Sequence, residues 1–128
     1  MPNRPAWAEI DLGKLSHNYE EIKKQLKPGV KLCAVVKADA YGHGAVPVAQ
    51  VAVAAGASYL AVATLSEGIE LREAGFTTPI LLLGLVMPED AKDVVDYDIT
   101  QVVCEMELAK ALSAEAVRQH KRCLPSAR

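Results

Sequence analysis

A lysine that ends a buried strand and is followed by a glycine-rich turn is a candidate for amine chemistry. Val35-Val36-Lys37-Ala38-Asp39-Ala40-Tyr41-Gly42-His43-Gly44 supplies one. Parallel α/β folds gather their active sites at the carboxyl ends of strands. A lysine placed there is partly desolvated, which disfavours the ammonium form and lowers the pKa. The neutral amine is the form that attacks a carbonyl carbon to make a Schiff base. Gly42 and Gly44 tolerate positive φ, so the Tyr-Gly-His-Gly stretch can form a tight loop that lets a ligand approach the backbone. Taken as residue types alone, a lysine that merely snorkels from a strand end beside two turn glycines is the commoner case. The glycine spacing is neither GxGxxG nor a Walker loop, so a nucleotide-binding reading is weak.

The elements around Lys37 must be strands and helices in turn. Runs rich in apolar or β-branched residues predict strands at Ala6–Leu12, Lys31–Lys37, Tyr59–Ala63, Ile80–Leu83 and Ile99–Val103. From Lys31 onward these runs lack strict alternation, which predicts burial on both faces, as in a parallel sheet. Between them lie helical patterns. Leu15, Tyr19, Ile22 and Leu26 form a stripe that Pro28-Gly29 stops. Val46–Ala55 is nearly all small or apolar, and Ser66–Glu73 is ended by Gly75. Pro88-Glu89-Asp90 opens a further helix, and Glu105–Val117 carries Leu108, Leu112 and Ala116 on one stripe. Such βα repeats of roughly 20 to 30 residues predict an α/β fold with a parallel sheet. Open sheets and closed (β/α)8 barrels share this beginning. A complete barrel takes about 250 residues, so a barrel reading makes this chain half of one.

Composition narrows the partners. With 128 residues, 51% hydrophobic and 23% charged, the chain is long and apolar enough for one domain with a real core. The formal net charge of -2, without a dense basic block before the tail, makes nucleic acid and anionic membranes poor partners. Cys33, Cys104 and Cys123 form no paired framework and no CxxC motif, which fits a reducing compartment. The start has no signal-peptide pattern, and apolar runs such as Ile80–Leu83 fall far short of the ~20 residues that span a bilayer. A soluble cytoplasmic protein is expected. No pair of histidines has metal-ligand spacing with Cys or acidic neighbours, so a zinc site is not expected.

The segment VVKADAYGHG resembles the pyridoxal-phosphate (PLP) attachment signature of bacterial alanine racemases. AWAEIDLGKLSHNY resembles the start of the same family, and ATLSEGIELREAG followed by PILLLG is similar to it in order and spacing. The likeness covers about residues 5 to 120. It implies the amino-terminal half of a PLP-binding (β/α)8 barrel, from an enzyme that interconverts L- and D-alanine and supplies D-alanine for the cell wall. It further implies that Lys37 holds PLP and is one of two opposed bases exchanging the α-proton. The Tyr41 hydroxyl would bond the cofactor phosphate, and Leu83 would line the wall near the pyridine ring. PLP supplies the electron sink. The resemblance gives His43 no base role, so a hydrogen bond ordering the loop is expected of it. Asp39 could be taken for a partner of the pyridinium, but its place two residues after Lys37 favours loop stabilisation. Cys33 is expected to be an inert thiol deep in the strand, and His17 and His120 are expected at the helix surface and in the basic tail.

In the family this chain resembles, the second base is a tyrosine from a carboxyl-terminal β domain reaching across a homodimer interface. The arginine facing the pyridine nitrogen and most phosphate-binding groups belong to later barrel strands. None of these positions occurs here. The expected organisation is therefore one incomplete barrel domain: residues 1–12 a leading strand, 13–120 four βα units, and 121–128 a basic tail that departs from the family just where a fifth strand is due. A truncation, a frameshift or a deliberate shortening would each produce it. Racemisation needs a proton donor and an acceptor on opposite faces, so the chain alone is expected to be incompetent. The rival reading is a non-catalytic PLP carrier or regulatory protein, or an inert remnant. Another amino acid, such as serine, is open as substrate.

Overall fold

The computed structural model describes residues 6–123 and 125–127. In chain order its elements are α1 (Leu12–Gln25), β1 (Cys33–Val35), α2 (Lys37–Gly42), α3 (Ala45–Ala54), β2 (Tyr59–Val62), α4 (Leu65–Glu73) and β3 (Ile80–Leu82). A 3₁₀ turn at Pro88–Asp90 then leads into α5 (Ala91–Asp96), followed by β4 (Ile99–Val103), α6 (Met106–Arg118) and β5 (Pro125–Ala127). The five strands lie in the order β1-β2-β3-β4-β5, every neighbouring pair parallel. Ala34, Leu60, Ile80 and Ile99 stand level across the first four. Strands taken in sequence order with helical connections are the βα succession of a TIM-like half-barrel.

One face of the sheet makes the core. Ala34, Leu60, Val62, Ile80, Leu82 and Ile99 are almost completely buried and pack with Val48 of α3, Leu71 of α4, Val94 of α5 and Leu108 of α6. Each large side chain so covered contributes about 1.5–3 kcal/mol relative to exposure, so this layer holds the strands in place. The opposite face carries Cys33, Val35, Leu81 and Thr100, all at least partly exposed. The α6 stripe of Leu108, Leu112 and Ala116 is buried as its spacing predicts. The α1 stripe is only half engaged: Leu15 and Tyr19 pack against the core, whereas Ile22 is 48% exposed.

Three expectations are corrected. Residues 6–11 form no strand; Asp11 accepts a hydrogen bond from the Lys14 N–H at 3.0 Å as the N-cap of α1, and the helix begins at Leu12. The alternation of Ala6–Leu12 is a strand pattern, but a strand needs a ladder partner, and no strand of the described sheet pairs with these residues. Residues 1–5 of that segment lie outside the described residues. The strand expected over Lys31–Lys37 is only Cys33–Val35, because the chain turns away sharply at Lys37. The tail does not simply leave the fold: Pro125–Ala127 adds a fifth strand to β4, with Gln101 opposite Pro125. Proline is tolerated there because an edge strand needs no donor on its open side.

Candidate functional site

Val36 is fully buried, and its N–H donates to the Ala61 carbonyl at 2.9 Å, which fixes the end of β1 against β2. Lys37 follows, half-buried, in phase with Val35 and Cys33 on the open side of the sheet, where Cys33 is exposed and not buried in the strand as expected. The chain then winds left-handed. Ala38, Asp39, Ala40 and Tyr41 have φ of 50 to 54° and ψ of 41 to 50°. Gly42 and Gly44 also take positive φ, +82° and +89°, as expected of them. Four consecutive non-glycine residues in this region were not foreseen. A left-handed L-residue costs about 1–2 kcal/mol, so the turn must be held by bonds from its surroundings.

Those bonds come from three directions. Within the turn, Ala40 N–H donates to the Val36 carbonyl at 3.0 Å, and Gly44 N–H to the Asp39 carbonyl at 3.0 Å. The Asp39 carboxylate accepts from the Ala45 N–H at 2.7 Å, satisfying a donor of the first turn of α3, where Gly44 as N-cap has no side chain to offer. This is the loop-stabilising role the sequence suggests for Asp39. His43 Nδ1 lies 3.4 Å from the Tyr41 carbonyl oxygen, within the same loop. From outside, Glu67 of α4 accepts the Ala38 N–H at 2.8 Å.

Glu67 was missed by sequence reasoning, and it connects most of the site. One carboxylate oxygen takes Ala38; the other takes the N–H groups of Ala63 at 2.7 Å and Thr64 at 3.1 Å. Thr64 returns a bond by accepting the Glu67 N–H at 3.3 Å, completing a capping box at the start of α4. Burial alone would push the Glu67 carboxyl up, but the three backbone donors and the nearby Lys37 cation outweigh it and hold the group below its ordinary value. The signal available in the sequence was Thr64-x-x-Glu67, which predicts a capped helix but says nothing of Ala38.

The left-handed turn brings two of the sequence-predicted residues together. Lys37 Nζ stands 5.9 Å from the centroid of the Tyr41 ring, and Tyr41 is 70% exposed. Leu83 lies apart from them. It leaves the end of β3, two strand spacings from β1, which is about 10 Å, and its N–H donates to the Val62 carbonyl at 2.9 Å. Alternation sets Leu83 on the same open face as Leu81, and it is 36% exposed. Beside it, Gly84 is required by close approach: a Cβ there would collide with the Ala63 carbonyl oxygen. The Gly84 carbonyl also accepts from Gln101 Nε2 at 2.8 Å, which draws the ends of β2, β3 and β4 into one rim.

A parallel βα sheet whose strand ends carry an amine, a phenol and an apolar wall defines the class of a TIM-like barrel with its site at the carboxyl rim. Residues 10–124 match the alanine racemase N-terminal domain, and the chain belongs to that family. An alanine racemase of Desulfovibrio desulfuricans is 54% identical over 114 residues, which are 89% of this chain and 31% of that protein. A solved alanine racemase of Clostridium difficile superposes with a TM-score of 0.91 at 42% identity, over 98% of this chain and 33% of that one. A histidine racemase of Leuconostoc mesenteroides gives a TM-score of 0.82 at 30% identity, over 98% of this chain and 33% of its own. The chain thus spans about a third of the length of the relatives it matches.

Proposed function

We propose that this chain is the cofactor-attaching part of an alanine racemase, with PLP held covalently through the Lys37 amine. The observation that carries the reading is Lys37 at the end of β1 with Tyr41 on the same left-handed turn, inside a family match that covers the chain. The residues fit such a cofactor. Lys37 provides an amine on the open face, the exposed Tyr41 carries a hydroxyl that can donate to a phosphate, and Val35 and Leu83 offer an apolar surface for a flat ring. PLP bound there would supply the electron sink for breaking the α C–H bond of an amino acid.

This chain's residues then have separate tasks. Lys37 would hold the cofactor through its amine, and the same side chain would take or return the α-proton on one face of the substrate. Tyr41 orients the phosphate end, and Leu83 bounds the ring. Racemisation requires a second acid–base group on the opposite face. The open face presents Val35, Ala61, Leu81 and Leu83 beside Cys33, Tyr59 and Thr100. The second group is assigned to a partner subunit, as the family resemblance implies, in a homodimer of the cytoplasm. Alanine is the proposed substrate by family; a histidine racemase has a closely similar fold, so selectivity lies in side chains rather than in the barrel.

Incubation with PLP, borohydride reduction and peptide mapping test the proposal. Lys37 is expected to carry most of the label. Equal labelling of Lys14, Lys23, Lys31 and Lys37 would overturn it.

A further inference from the structure

We infer that Glu67 is the positioning residue of the Lys37 site, setting the direction of the lysine by locking the peptide that follows it. The inference rests on the proposed attachment of PLP to Lys37. An ordinary capping-box glutamate serves the N-cap N–H alone. Glu67 serves Thr64 in that way, but also takes Ala63 at the end of β2 and Ala38, 29 residues away in sequence, at the head of the left-handed turn. Ala38 N–H belongs to the planar peptide that begins at the Lys37 carbonyl carbon, so fixing it fixes ψ of Lys37. With ψ set, the turn can leave β1 in one direction only, and Tyr41 falls beneath the Lys37 ammonium. Both carboxylate oxygens are engaged and the carboxyl is held in its anionic form, so Glu67 acts as a fixed acceptor and not as an acid or base.

The chemistry of the acceptor matters. A carboxylate offers lone pairs on both oxygens, whereas the isosteric glutamine must present an NH₂ to one side. Glu67→Gln therefore sets a donor against either Ala38 or the Ala63–Thr64 pair. Thr64→Ala is the matched control: it removes the hydroxyl that caps α4 and leaves the Glu67 carboxylate in place.

The experiment uses the full chain with added PLP and reads two quantities: the share of borohydride-trapped label on Lys37, and amide hydrogen exchange of the peptide spanning residues 38–43. Glu67→Gln is expected to speed exchange in that peptide at least tenfold, to leave the peptides of α6 and β4 unchanged, and to lower the Lys37 share to that of the other lysines. Thr64→Ala is expected to lower the melting midpoint while keeping the Lys37 share. Unchanged exchange at residues 38–43 in Glu67→Gln overturns the inference. So does loss of protection throughout the chain in that variant, or an equal fall of the Lys37 share in Thr64→Ala, since either marks a merely structural glutamate. If the unsubstituted chain shows no preference for Lys37, the attachment proposal fails instead, and the exchange measurement still decides whether Glu67 locks the turn.

Discussion

Four L-residues near φ +50° hold Cβ atoms against the carbonyls that follow them, and the turn persists only while its outside acceptors do. Glu67 is one of these, and its stabilising bonds require the carboxylate. Because its carboxyl lies below the ordinary 4.5 when folded, its contribution is complete above pH 4.5, shrinks as the pH falls below that, and is gone once the folded value is passed. The difference in denaturation midpoint between the unsubstituted chain and Glu67→Gln should therefore be constant from pH 7 to 5 and close on acidification below 4.5. A difference that grows in acid would contradict the assignment. At this scale the sequence is legible where function is local. Lys37, Tyr41, Asp39 and the two glycines sit within eight residues, and their types announce an amine on a turn. Glu67 is not legible, because its partners at Ala38 and Ala63 become neighbours only when β1 and β2 pair. The handedness of the turn is hidden for a similar reason: Ala-Asp-Ala-Tyr has no intrinsic preference for it and adopts it under external bonds.

The strands and helices also depend on side chains that clamp their connections, at the end of the sheet away from Lys37. Arg72, near the carboxyl end of α4, spreads its guanidinium over four carbonyls, each at 2.8 Å: Phe76 and Thr78 before β3, and Tyr97 and Asp98 before β4. Burial lowers its pKa somewhat while Asp98 opposes that, but an arginine stays charged in any ordinary solution. Arg72→Met should destabilise the chain by about 1–3 kcal/mol in urea unfolding, the range for stranded acceptors partly rescued by water. Arg72→Lys should be nearly as costly, since an ammonium cannot fan across four carbonyls. Both variants should leave the Lys37 label share intact; a loss below ~0.5 kcal/mol in either would show that the clamp is redundant. Most elements were legible at this scale because apolar period reports burial. Ile99–Val103 is a strand over its full predicted length, and α3, α4 and α6 fall within a residue or two of expectation. Ala6–Leu12 was misread because alternation marks a strand only where a second strand supplies hydrogen bonds. The resemblance makes a fifth strand due at the tail, yet the tail reads as a departure because three residues headed by a proline carry almost no strand signal of their own; β4's open side recruits them.

Viewed as a whole, the described sheet has two edges, one at β1 and the other at β5. β5 covers the outer side of Ile99–Val103, so the exposed rows of backbone groups belong to β1 and to the three-residue β5. A short, proline-headed edge is a poor template for further pairing. β1 has no such protection. It carries Val35, 49% exposed, on the open face, where Leu83 adds further apolar surface. Beyond β3, Leu85 and Met87 are exposed as well. Unpaired backbone beside exposed aliphatic surface favours association, and the β1 side should lead it. Sedimentation of the chain is expected to show dimers or larger species whose fraction rises with concentration. Val35→Lys, placing a charge on the edge strand and its open face, should shift the distribution toward monomer while leaving the helix-facing core, and hence the far-ultraviolet spectrum, unchanged. A sharp monomeric boundary with cooperative melting in the unsubstituted chain would show instead that the edge at β1 is shielded, and the segment to examine then would be residues 6–11 ahead of α1, where Trp7 is exposed and unpaired with the sheet.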